Sequence, residues 1–190
     1  SSAVSGRGGA EKGARSSNDL SDLEIADLLF MREEEKLARD SYIVLHELWG
    51  EAVYSNISIS EQQHMGAMEK LLDKFGLPDP VVDEDDVGSF VNEELDTLFT
   101  YLMDLGEENA LAGLNVGGLI EEKDMRDIQV AIDAADHQDI KDVYASLLCG
   151  SRNHLRAFVK NIELAGSTYT ASVLPQEEVD EIANSPMEQC

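Results

Sequence analysis

The sequence predicts an all-α protein, an antiparallel four-helix bundle with a short extra helix in the crossover between helices two and three. Three observations carry this reading. Four long segments repeat apolar residues at spacings of three and four, glycines stand where three of them end, and an acidic connection divides them into two hairpins. Residues 1–19, made of Ser, Gly, Ala and scattered charges, read as a flexible tail. Residues 20–166 read as the bundle, and 167–190 as an extension with a short helix.

The first helix starts at a capping box, Ser21-Asp22-Leu23-Glu24, and stops at Gly50. Its cleanest stripe is Leu28, Met31, Glu35, Ala38, Tyr42, Leu45 and Trp49, so Glu35 occupies a core position. Glu34 is the fallback, because Phe30, Leu37 and Val44 define a neighbouring stripe. The second helix is expected over about Asn56 to Phe75, capped by Ser55 and closed by Gly76 and Pro78. Its stripe holds Ile57, Glu61, His64, Met68, Leu71 and Phe75. An acidic loop from Pro78 to Asp86 and a short helix near Asn92 to Leu105 make the crossover.

The third long helix is expected from about Glu108 to Ala135, despite Gly113, Gly117 and Gly118. Each glycine costs about 1 kcal/mol of helix propensity, so their presence predicts close backbone packing. Its inner face is Gly117, Glu121, Asp124, Met125, Ile128, Ala131, Ile132 and Ala135, with Glu122, Arg126, Gln129 and Asp133 on the polar side. The fourth helix, capped by Asp136, ends before Gly166 and carries Ile140, Tyr144, Leu147, Ser151, His154, Phe158 and Ile162. Residues Pro175 to Ile182 form a last short helix.

At 190 residues with 43% apolar content, the chain can bury a sizeable core. Its net charge of −25 repels phosphate backbones and concentrates cations, which excludes nucleic acid as a partner. No apolar run reaches the roughly eighteen residues of a membrane span, so the chain reads as soluble. Cys149 and Cys190 form no C-x-x-C pair and no evident disulfide framework, which assigns no redox compartment. The start at Ser1, without an initiator Met, reads as processed, trimmed or engineered.

Acids and imidazoles thus stand at the centre of four otherwise apolar stripes. Glu61-x-x-His64 places an oxygen and a nitrogen ligand on one helix face, and Ser151-x-x-His154 repeats the histidine without the glutamate. Stacked antiparallel, the helices would bring Glu35, Glu61, His64, Glu121, Asp124 and His154 to one level. Burying these carboxylates costs several kcal/mol each unless cations balance them. Two iron or manganese ions suit such a mixed set, with bridging carboxylates setting them about 3.5–4 Å apart.

Asp124, one turn past Glu121, would supply the oxygen that Ser151 lacks; a solvent-facing or hydrogen-bonding acid is the other reading of it. Glu61 has an alternative as the end of a capping box starting at Ser58. Tyr42, Tyr144 and Ser151 fall around the expected ligands, the tyrosines either as core aromatics or as hydrogen-bond donors to them. No catalytic residue is assigned. A single-metal site, or an acidic scaffold that binds cations or a basic partner, are the competing readings of the chain.

Five blocks in order, FMREEEKLARDSY (30–42), SNISISEQQH (55–64), LIEEKDMRDI (119–128), SRNHLRAF (151–158) and PQEEVDEIANSPME (175–188), resemble the ferritin-like domain-of-unknown-function family numbered 2202. The resemblance spans about residues 20–188. The spacing of Glu35, Ala38 and Tyr42, followed by Glu61-x-x-His64, is also similar to the first half of rubrerythrins and ferritins. It implies a ferritin-like bundle with a di-iron carboxylate centre, and ferrous iron oxidation or peroxide or oxygen reduction as activity classes. Ser151 departs from the second Glu-x-x-His of that pattern, and no Cys-x-x-Cys iron module for electron delivery is present. A homo-oligomer is compatible with the sequence, which specifies no cage contacts.

Overall fold

The computed structural model describes residues 19–190, so the tail expected over 1–19 lies outside it apart from Asp19. Among the described residues there are six helices and no strands: α1 (Asp22–Trp49), α2 (Ala52–Lys74), α3 (Glu93–Gly106), α4 (Ala110–Ala134), α5 (Gln138–Leu164) and α6 (Gln176–Ala183). None of them is long and apolar enough to cross a membrane.

The four long helices form a helical bundle of two hairpins, α1–α2 and α4–α5. The hairpins meet through α1 on α4 and α2 on α5, α3 covers α1 and α4, and α6 lies on α5. Side-chain pairings give the directions. Early α1 meets the end of α4 where Glu24 accepts from Asp136 N, and late α1 meets early α4 where Tyr42 reaches Gly117 and Glu121. Late α2 meets the start of α5 through Lys74–Asp139, and mid α2 meets mid α5 through Ser60–His154. Each long helix is therefore antiparallel to both of its neighbours.

The expected stops are real: Gly50, Gly76 and Gly166 all have positive φ, the conformation that admits glycine at no steric cost. The capping box at Ser21 and Glu24 is present in both directions, at 3.1 and 3.0 Å. Two boundaries differ from the sequence reading. α2 begins at Ala52, a turn before Asn56, because buried Val53 and Tyr54 extend its packed face, and Tyr54 stacks near Tyr42 and Phe158. Ser55 is consequently inside the helix, bonded to Ala52 O, and Glu61 is well past the first turn rather than the end of a capping box. Asp136 does not cap α5. The N-cap is His137, which makes no side-chain cap bond; its amide and that of Asp136 donate instead to Glu24 Oε2, at 3.3 and 3.1 Å.

The glycines of α4 are contact points, as expected. A Cβ on Gly117 would come within 2.4 Å of the Phe158 ring, and one on Gly118 within 2.6 Å of Tyr169. Glu122, read from periodicity as part of the polar side, is fully buried. It accepts the Tyr169 hydroxyl and the amides of Ser172, Val173 and Leu174, so it fastens the 167–190 segment onto the bundle. The cysteines, read as no framework, are joined: a Cys149–Cys190 disulfide spans 41 residues and ties that segment to α5.

Two apolar clusters fill the bundle. One gathers Tyr42, Leu45, Tyr54, Ile57, Ile120, Leu155 and Phe158 with further neighbours, and the other Leu28, Met31, Met68, Leu71, Ile128, Tyr144 and Leu147. On each helix, the acids and imidazoles expected at the core fall between residues of the first cluster and residues of the second. The polar layer is thus closed above and below by hydrocarbon.

Candidate metal centre

Glu35, Glu61 and Glu121 have no solvent exposure, Asp124 is 1% exposed and His154 7%. Their positions follow from the helix period: each sits one turn from an apolar residue of the same stripe, so burying the stripe buries the acid. The side chains meet as two triads. Glu35, Glu61 and His64 form one, and Glu61, Glu121 and His154 the other, with ligand atoms in each lying within 4.8 Å of one another. Glu61 belongs to both.

In the first triad, His64 Nδ1 is 3.3 Å from Glu35 Oε2 and 3.1 Å from Glu61 Oε2. In the second, His154 Nδ1 is 2.9 Å from Glu61 Oε1 and 3.3 Å from Glu121 Oε1. The two imidazoles stack with centroids 5.7 Å apart. His154 Nε2 is 3.0 Å from Ser60 Oγ, which turns Nδ1 toward the carboxylates. Tyr42 donates to Glu121 Oε1 at 2.7 Å.

Several buried atoms of this layer have no hydrogen-bond partner in the protein: Glu35 Oε1, Glu61 Oε1, Glu121 Oε2, Asp124 Oδ2, Ser151 Oγ and His154 Nδ1. Such groups are uncommon in native interiors and each calls for a reason. The 2.9 Å approach of His154 Nδ1 to Glu61 Oε1 is not a hydrogen bond, because the ring N–H does not aim at the oxygen.

The electrostatics agree with this crowding. Burial, then the Glu61 charge, pushes the Glu35 carboxyl well above its usual range. Burial raises Glu121 to about 7, against the opposing pull of His154. Glu61 goes the other way: burial would raise it, but His154, Glu35 and His64 together hold it well below. Burial would lower both imidazoles, yet the flanking carboxylates raise His64 to about 11 and His154 to about 10.

Of the remaining expected residues, Asp124 is buried within the field of Glu35, Glu34, Glu121 and Glu61, which with burial raises its pKa, but it belongs to neither triad. Ser151 is buried one turn before His154. Tyr144 is buried with its hydroxyl unpartnered, and after burial itself the charges that raise its pKa are Asp27 and Glu24 rather than the triad acids. Glu34, the fallback for Glu35, pairs with Lys123 at 3.1 Å and is outside both triads.

Gly150 was not singled out from the sequence. A Cβ there would come 2.6 Å from His64 Cε1 and 2.7 Å from Nε2, so the missing side chain is what lets α5 lie against the imidazole. Its position directly before Ser151-x-x-His154 was the available signal. The histidine edge opens to solvent through a groove of about 510 Å3 lined by Ser60, Gln63, His64, Gly150, His154 and Cys190 among others.

The comparisons with known proteins agree on one relationship. The chain is 43% identical over 169 residues to the uncharacterized protein MJ0754 of Methanocaldococcus jannaschii, covering 89% of this chain and 91% of that protein. It is also similar to the crystal structure of hypothetical protein MJ0754, with a TM-score of 0.87, 42% identity and coverage of 89% and 96% of the two chains. Residues 24–186 match the domain described as Uncharacterized protein domain (DUF2202), and the chain belongs to that family.

Proposed function

We propose that this protein is a ferritin-like metal-binding protein that holds two iron or manganese ions in its polar layer. One observation carries the reading: two carboxylate–imidazole triads share Glu61, and within them Glu35 Oε1, Glu61 Oε1, Glu121 Oε2 and His154 Nδ1 have no hydrogen-bond partner in the protein. The antiparallel order of the four long helices, with the long crossover between the second and third, supports the ferritin-like arrangement.

Glu35 and His64 would hold one ion, Glu121 and His154 the other, with Glu61 between them. The donor set of carboxylate oxygens and imidazole nitrogens suits iron and manganese. Two such ions, when bound, supply the two electrons that oxygen or peroxide takes up. The protein's own contribution is positional. Ser60 orients His154, Tyr42 steadies Glu121, Gly150 gives His64 its place, and the two apolar clusters exclude water from above and below. Asp124 stands beside the pair rather than among its ligands, with burial and the neighbouring acids favouring its neutral form. Ser151 leaves the fourth helix with its histidine alone, so the protein supplies five ligands.

The activity class is ferrous iron oxidation by oxygen or peroxide. Protein given two equivalents of Fe(II) without air is expected to bind both, and on exposure to air to oxidise them faster than buffer does. Absence of bound iron together with a buffer-like oxidation rate overturns the reading.

A further inference from the structure

The chain has two cysteines, and both stand at the histidine edge of the polar layer. Cys190 lines the groove that reaches the His64 and His154 rings. Cys149, nine-tenths buried, directly precedes Gly150, the residue on which the His64 ring lies. Cys190 is exposed. The disulfide between them is therefore accessible on one sulfur and close-packed on the other.

The segment carrying Cys190 is held independently of that bond. Glu188 accepts from Arg152 at 2.8 and 2.9 Å and from Arg156 at 2.7 Å. Its backbone exchanges two hydrogen bonds with the Asn153 side chain, both 2.9 Å. This clasp holds Glu188, two residues before Cys190, on α5 by contacts other than the disulfide. A reversible pair needs that arrangement, since its thiols must find each other again.

We propose that Cys149 and Cys190 are the reducing thiol pair of this centre and that the protein is a thiol-dependent peroxide reductase. The inference rests on the two-metal reading above. In the net reaction hydrogen peroxide takes two electrons whose final donors are the two thiols, which would make good those the bound ions supply. Its O–O bond breaks, an S–S bond forms, and the two thiol protons leave in two molecules of water. A dithiol reductant then attacks the exposed Cys190 sulfur, passes through a mixed disulfide, and leaves oxidised while both protein thiols are restored. The pair supplies the electrons that an appended iron module would otherwise deliver.

The test uses the full chain, reduced with a dithiol, freed of reductant under argon and loaded with two equivalents of Fe(II) or Mn(II). Metal content and helical circular dichroism are measured first. One equivalent of hydrogen peroxide is then added, and samples quenched over time with a maleimide are weighed as intact protein. The expected result is bound metal, an unchanged helical signal, and loss of both thiols about tenfold faster or more than in metal-free reduced protein. Glu61→Ala, treated alike, is expected to follow the metal-free course. Two bound metals with thiols that persist as in metal-free protein overturn the inference and leave the two-metal reading standing. No bound metal overturns both. Loss of the helical signal on reduction overturns the thiol pair alone, because the bond is then a staple.

Discussion

Helix α1 buries charge on two faces and treats it in opposite ways. On the face toward the 79–92 crossover, every buried charge is matched. Arg32 makes a two-point pair with Asp79 at 3.0 and 2.9 Å and reaches Glu84 and Met65 O. Lys36 meets Asp40 at 2.6 Å, Arg39 meets Asp40 at 2.8 Å, and Glu33 accepts the amides of Val91 and Asn92. On the face toward the bundle axis, Glu35 is equally buried but has one oxygen with no partner, among acids in the same condition. The first face is a finished structure. The second leaves polar atoms unmatched within the protein, the condition on which the proposed metal site rests, because an unmatched buried carboxylate costs several kcal/mol.

The contrast can be broken from either side. Asp40→Ala removes the shared acceptor of Lys36, Arg39 and the Gly88 amide and is expected to cost about 3–5 kcal/mol in urea unfolding, with or without metal. Glu35→Ala should behave differently. Metal-free stability should hold or rise, because burial and the Glu61 charge disfavour the Glu35 carboxylate, while the increment from metal, about 4 kcal/mol at a thousandfold excess over Kd in the parent, shrinks in parallel thermal melts. An equal loss from both substitutions in metal-free protein would erase the distinction between the faces.

Gly150→Ala sharpens the comparison at the histidine. The added methyl displaces the His64 ring, so metal affinity by calorimetric titration should fall about tenfold or more with modest change in fold stability. The smallest effect concerns Glu24, a matched acid far from the centre. Burial would raise its pKa, but bonds from Ser21, His137 and Asp136 lower it from 4.5 to about 2. Its folded pKa is depressed, so its contribution is complete above about pH 4.5 and is lost as pH falls from there toward 2. Glu24→Gln should flatten the acid limb of a stability–pH curve over that window.

The residues of the inner face were readable because the helix period tied each to an apolar stripe: Glu35 to Met31 and Ala38, His154 to Leu147 and Phe158. Glu121 was separated from Glu122 by the same argument, and correctly so for its contacts. Periodicity misplaced Glu122 because its partners come from residues 169–174, which obey no helical repeat and reach α4 from outside the bundle. The matched face of α1 has a sequence signal of its own. Arg32, Lys36 and Arg39 are themselves a stripe at spacings of three and four, and the chain's acidic loop was available to cover it. The disulfide left no local trace, since its pairing depends on where the tail docks 41 residues later.

The grip of Glu122 on the tail has a consequence for hydrogen exchange. The amides of Ser172, Val173 and Leu174 lie outside any helix yet all donate to one buried carboxylate, beneath which Tyr169 is also seated. Lifting the segment frees all three together and strips the buried carboxylate of its amide donors. The three should therefore exchange at one common slow rate, and that rate reports how often the tail lifts from α4.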